Sequence, residues 1–201
     1  MTLRATTFLC LAILTLPAAA RAAASSQDPD WPCIQRLVPR IVAAQVWAGP
    51  EPDAAAWNDD REIARLGARL AARRTPIEET EKLVEAFAEA QPKQALNAKL
   101  TALFGRTLEV INRDRASIIA GIKRFSVRQR ELAERIREAR ATVEQNAGAA
   151  AANDDLTEQL NWSIRIFDER EKSMTYLCEQ PVLLEQRAFA LGRTIYFFVE
   201  D

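Results

Sequence analysis

The sequence predicts an all-α protein, a helical bundle with a long antiparallel coiled-coil hairpin. Two observations lead there. Between Pro92 and Asn146 there is no proline, and the stretch is rich in Ala, Leu, Arg and Glu, which lose little on entering a helix. On either side of an alanine-rich break, two segments carry core-type residues at alternating four- and three-residue spacing, the pattern of helices packed along a continuous seam.

The elements follow in order. Ile34, Leu37, Val38, Ile41 and Val42 recur at helical spacing, which predicts a first helical segment that Pro39 interrupts or kinks and that the turn "WAGPEP" from Trp47 to Pro52 closes. Asn58-Asp59-Asp60 caps or starts a second helix with Ile63, Leu66 and Leu70 on its apolar face, and Arg73-Arg74 complement the dipole at its end. In "TPIEE", Thr75 as N-cap, Pro76 at the first helical position and Glu78 three residues after the cap form a capping box. This third helix carries Ile77, Leu83, Val84 and Phe87 and stops near Gln91-Pro92.

The first hairpin arm spans about 92–146, as one helix or two nearly collinear ones; Gly105 and Gly121 each cost only about 1 kcal/mol relative to alanine. "NAGAAAAND" breaks the pattern, with Gly148 just past the helix end and Asn153 or Asp154 as the next cap. The second arm spans about 153–179, and Pro181 starts a last helix ending in "IYFFVED", whose Tyr196, Phe197 and Phe198 are expected to pack at the core or hairpin base.

The seam residues are Ile118, Ile122, Phe125, Gln129, Leu132, Ile136, Ala139 and Val143 on the first arm, and Leu156, Leu160, Ser163, Phe167, Arg170, Met174 and Leu177 on the second. Folding at the break pairs Val143 with Leu156 and continues layer by layer through Leu132 with Phe167 and Gln129 with Arg170 to Ile122 with Leu177. One polar layer thus faces another and sets register. Residues 113–140 hold nine basic and four acidic side chains, and residues 153–179 three basic and seven acidic, so the arms are expected to attract. Each exposed pair contributes only about 0–1 kcal/mol.

Residues 1–24 read as a cleaved export signal, leaving 25–201 as one helical domain. Arg4 supplies the charge, "FLCLAILTL" the apolar run, Pro17 a break, and Ala20-Arg21-Ala22 or Ala22-Ala23-Ala24 the small-residue cleavage pattern. The run falls short of the roughly 20 apolar residues of a membrane-spanning helix, and no later stretch reaches that length. Cleavage removes Cys10 and two arginines, so 27 basic residues become 25 against 28 acids, with no overall basic field to recruit nucleic acid. The two remaining cysteines, Cys33 and Cys178, are expected to form a disulfide in an oxidising, periplasmic compartment.

Histidine is absent, which removes the commonest general base and metal ligand, and a serine triad with it. The acids at Asp59, Asp60 and Glu62, at Glu78, Glu79 and Glu81, and at Asp154 and Asp155 cluster at expected helix starts, where they complement the dipole. No calcium loop, nucleotide-binding glycine loop or Gly-x-Ser-x-Gly elbow is present. No catalytic residue, cofactor or metal is therefore assigned. The candidate interaction surface is the basic face of Arg113, Arg115, Lys123, Arg124, Arg128 and Arg130, whose alternative fate is pairing with acids of the same chain.

Trp31, Pro32, Cys33, Gln35, Pro39, Trp47, Gly49 and Pro50 lie in a stretch that resembles an N-terminal element of uncharacterised exported helical proteins of proteobacteria, a resemblance that implies no activity. The expected function is that of a non-enzymatic periplasmic interaction or scaffold protein presenting a helical hairpin to an envelope protein. The alternatives are a structural homodimer assembled through the same heptads and a carboxylate-dependent envelope hydrolase.

Overall fold

The computed structural model describes residues 28–146 and 150–200. The expected export signal and Gly148 lie outside them. Among the described residues every regular element is helical: α1 (Ala43–Val46), a single 3-10 turn (Ala54–Ala56), α2 (Arg61–Ala71), α3 (Ile77–Glu89), α4 (Lys93–Gln145) and α5 (Ala150–Tyr196).

α4 has 53 residues and α5 has 47, so at 1.5 Å per residue they run for about 80 and 70 Å. They pair antiparallel along their length. At the base, α2 packs on α4, while α1 and α3 pack on α5. The main core lies here, built from Ile63 and Leu70 of α2, Val84 and Phe87 of α3, Leu100, Phe104 and Ile111 of α4, and Leu184, Leu191 and Ile195 of α5. Trp47, just past α1, stacks on Phe104 with ring centroids 4.4 Å apart. Two glycines permit this closure. A methyl group at Gly192 would collide with the Val46 carbonyl, and one at Gly105 with the Trp57 ring.

Beyond the base the core thins to two clusters on the seam. Ile122 packs with Cys33 and Cys178, flanked by Trp31, Ile118, Met174 and Leu177. Farther out, Leu132, Ile136 and Leu160 pack with Ala139, Val143, Ile164, Ile166 and Phe167.

Several local expectations are corrected. Residues 34–42 are not helical, and Ile34 is fully exposed while Ile41 is buried. Pro39 has no N–H to give a helix, and Asn112 takes the place of a backbone partner. Its Oδ1 accepts the Ile41 N–H and its Nδ2 donates to the Ile41 carbonyl, both at 2.9 Å. The segment is an irregular strap. Thr75 does not cap α3: its buried hydroxyl donates to the Arg69 carbonyl at 2.8 Å, satisfying an acceptor in the last turn of α2. Pro76 precedes the first turn of α3 instead, and Glu78 and Glu79 lie within that turn.

Asn153 and Asp154 lie inside α5 rather than capping it. The Asn153 amide reaches across to the Val143 carbonyl at 3.4 Å. Pro181 likewise starts no new helix, because α5 continues through it. The packing of α5 on both sides of Pro181, against α4 and the base, outweighs one lost backbone hydrogen bond.

The seam is real, but its phase differs near the middle. α4 buries Ile119, Ile122, Ser126, Gln129, Leu132 and Ile136, so Ser126 takes the inward place expected for Phe125. Arg170 is exposed, and the Gln129 amide donates to the Phe167 carbonyl at 3.2 Å, so the Gln129–Arg170 layer does not form. A long charged side chain reaches solvent from the seam edge more cheaply than it stays buried. Phe197 is exposed, whereas Phe198 packs on the base core and Tyr196, though partly in solvent, meets the Trp47 ring edge-on at 5.7 Å.

Cys33 and Cys178 form the disulfide, with Cα atoms 5.6 Å apart and 145 residues apart in sequence. Closing so long a loop contributes up to about 5 kcal/mol by restricting the unfolded chain. Thiol labelling of the denatured, unreduced protein should therefore find neither cysteine free.

The observed seam also orders two truncations in urea unfolding. Leu132→Ala should cost about 2–5 kcal/mol. Phe125→Ala, at a residue outside both seam clusters, should cost about 1 kcal/mol or less. The expected order would reverse if Phe125 were the inward residue.

Candidate interaction surface

Because residues seven apart lie on one side of a helix packed in a coiled coil, the two broad faces of the hairpin can be read from α4 and α5. One face carries Lys123 and Arg130 of α4 and Cys178 of α5. The strap runs along it. Lys123 Nζ meets Asp28 at 2.5 Å, and Arg130 meets Asp30 and donates to the Pro29 carbonyl at 3.3 Å. Trp31 packs at the disulfide, its indole N–H donating to the Gln35 carbonyl at 2.7 Å. The Lys123 ammonium, hydrogen-bonded to Asp28, holds that carboxyl below its ordinary value.

Arg115 is the inner anchor. Only 4 % of its surface is exposed, although it was expected on an open basic face. It donates to the Val38 carbonyl of the strap and to the Pro181 carbonyl of α5 at 3.3 Å, and Glu185 lies 3.8 Å away. Burial pushes the guanidinium pKa down, opposed by Glu185. Arg187, which nothing in the local pattern singles out, does the same work at the base. It donates to the Leu70 carbonyl at 2.8 and 2.6 Å and to the Thr75 carbonyl at 2.9 Å, joining α5 to the α2–α3 connection.

The six basic residues therefore separate. Arg115, Lys123 and Arg130 hold the strap. Arg113 pairs with the neighbouring Asp114 at 3.1 Å. Arg124 and Arg128 lie exposed on the other broad face, where Arg128 Nε donates only to the Arg124 carbonyl, at 3.3 Å. The expected attraction between the arms is not realised as contacts: among the described residues, no ion pair joins the hairpin beyond Arg115 to the acidic segment 153–179. The strap takes two of those cations instead.

That second face is open on the α5 side too. Trp162 is 60 % and Tyr176 69 % exposed, with Leu183 nearer the base. The three are separated by multiples of seven residues, a signal present in the sequence but out of phase with the seam. At the base this face is closed by α2, and Arg73, two residues past the end of α2, bonds Gln180 of α5.

Asp60 and Glu109 are held by neighbouring groups. Asp60 caps α2 by accepting the Glu62 and Ile63 N–H groups, both at 3.0 Å, and pairs with Lys99 at 2.6 Å, which holds its pKa down. Glu109 borders a cleft of about 310 Å³ that is also lined by Arg40, Glu51 and Trp57. Its carboxylate is bonded by Arg106 at 2.6 Å and by the Trp57 indole at 3.1 Å, with Arg106 chiefly lowering its pKa. Asp154 and Asp155 are exposed within α5. Among the described residues, no group of three or more acids and cysteines could hold a metal ion, and no helix is long and apolar enough to cross a membrane.

Arg115→Ala should lower stability by about 2–4 kcal/mol, because the Val38 and Pro181 carbonyls lose a buried donor, while Arg124→Ala should stay within about 0.5 kcal/mol. Chemical denaturation of both variants measures the contrast, and equal effects would mean that Arg115 anchors nothing. The chain matches no protein-family model, no curated protein and no solved structure, so the assignment of its surface rests on geometry.

Proposed function

We propose that the protein is a non-enzymatic, exported protein of the periplasm that acts by binding, presenting its helical hairpin to a partner in the cell envelope. The observation that carries this reading is the outer hairpin itself. There α4 and α5 pack on each other and on the strap, leaving large apolar side chains, Trp162 and Tyr176, in solvent. Exposed aromatic residues on a rigid helix cost little entropy when a partner covers them, and they are typical anchors of protein interfaces.

Two further observations support the reading. The disulfide suits an oxidising, exported compartment. The resolved carboxylate shifts, at Asp28, Asp60 and Glu109, are all downward, which keeps these acids ionised rather than poised to give up a proton near neutrality.

Removing the outer hairpin tests the proposal. A chain lacking residues 134–165, rejoined by a short glycine-asparagine turn, keeps the disulfide, Lys123, Arg130 and the base. It should fold and lose the envelope partner that the intact protein retains in affinity capture. Capture of that partner by both forms would exclude residues 134–165, with Trp162, from the binding surface and overturn the outer-hairpin reading.

A further inference from the structure

The strap shows what kind of segment this hairpin accepts along one broad face. It brings carboxylates to basic residues of α4 and lays an aromatic side chain against the seam: Asp28 on Lys123, Asp30 on Arg130, and Trp31 beside Ile118, Ile122, Met174 and Leu177. The opposite face carries related chemistry without that cover. Its α4 edge presents Arg124, Arg128 and Arg135, all exposed and none in an ion pair among the described residues. Its α5 edge presents Trp162 and Tyr176, with partly buried Ile166 on the same side. Glu169, between the two aromatics, is taken by Lys172 at 2.9 Å. Arg165 lies over the Trp162 ring, 5.8 Å from its centroid, and the exposed acids Glu131 of α4 and Asp155 of α5 lie beside these edges, so the surplus of cations is on the α4 edge and the exposed aromatic surface on the α5 edge.

We propose that this open face is the docking groove for an amphipathic, acidic helix of a partner protein, an inference that rests on the hairpin-binding function proposed above and names its partner's chemistry. The helix lies along the groove between α4 and α5 and makes the outer hairpin a three-helix bundle. Its apolar stripe covers Trp162, Ile166 and Tyr176, and acids along one flank meet Arg124, Arg128 and Arg135. The three arginines are four and seven residues apart, about 6 and 10 Å along the axis, which a helix matches with acids at the same spacing. The Arg73–Gln180 contact closes the groove at the base, so the partner helix extends from there toward the tip. Desolvated guanidinium–carboxylate pairs are directional and reject a basic helix of the same apolar pattern.

The test uses the intact protein and two synthetic helices of 21 residues with the same leucine stripe, one flanked by glutamates and one by lysines. Binding is followed by calorimetry, with tryptophan fluorescence of wild type and Trp162→Phe reporting coverage of the groove. The glutamate helix should bind at least 10-fold tighter than the lysine helix and change the Trp162 emission. The triple variant R124E/R128E/R135E, whose substitutions are all exposed, should reverse the preference while its circular dichroism and thermal midpoint match wild type. The variant pair K82E/K93E, exposed at the base and away from the groove, should leave the preference unchanged. Equal binding of the two helices, no binding of either up to about 1 mM, or a preference that survives the triple reversal would overturn the groove. So would concentration-dependent self-association of the purified protein abolished by the same triple reversal, which would assign the face to a second copy. Loss of envelope-partner capture in the shortened chain alongside any of these failures would leave the hairpin-binding function standing and remove only the acidic-helix assignment.

Discussion

Two helices of about 80 and 70 Å outrun the base bundle, and that mismatch organises the molecule. α1, α2 and α3 cover the base-end stretches of α4 and α5, where the main core lies. Past that point the two long helices bury their apolar stripes on each other, with the strap covering one side as far as Arg130. The outer core is consequently one layer thick, and Leu132, Ile136 and Leu160 are its most buried residues. A two-stranded seam buries each helix on one side only. The remaining sides are available to a strap, to a partner, or to solvent.

The strap uses one of those sides, held by the Cys33–Cys178 bridge, by apolar contacts and by polar ties to α4 and α5. Asp28 and Asp30 reach α4 cations, Asn112 bonds both backbone groups of Ile41, and Arg115 binds strap and α5 carbonyls from inside. Arg115 and Arg187 carry charge into places where burial depresses the guanidinium pKa. Each offsets that cost by bonding carbonyls left without helical partners: Arg187 those of Leu70 and Thr75, Arg115 that of Val38. These arginines fasten one segment to another, whereas Arg124, Arg128 and Arg135 remain outside such ties. The basic count of α4 is thereby divided between architecture and surface.

Local pattern was sufficient for much of this. The alternation of four and three residues marks the hairpin arms, and the unbroken stretch from Pro92 to Asn146 marks α4 to within a residue at each end. A cap for α2 within Asn58-Asp59-Asp60, which is Asp60, and the Cys33–Cys178 bridge followed from residue type and from the number of cysteines that the expected cleavage leaves. These features depend on neighbours in sequence or on simple counting. The stripe of Trp162, Tyr176 and Leu183 was equally legible as a repeat of seven, but it gains meaning only once another stripe is known to face α4.

Tertiary structure decided the rest, because the deciding partner was in each case far along the chain. Residues 34–42 have helical spacing yet form no helix, and Asn112 supplies both backbone hydrogen bonds of the buried Ile41. Thr75 has a capping sequence but turns to the Arg69 carbonyl. Pro181 looks like a boundary and is carried inside α5, where packing on both sides of it outweighs one missing N–H. Charge shows the limit most plainly. Opposite net charges on the arms suggested that they hold each other, but charge counted along a helix does not say which way side chains point. The seam turned those charges outward, the strap claimed part of the basic set, and the rest defines the open face.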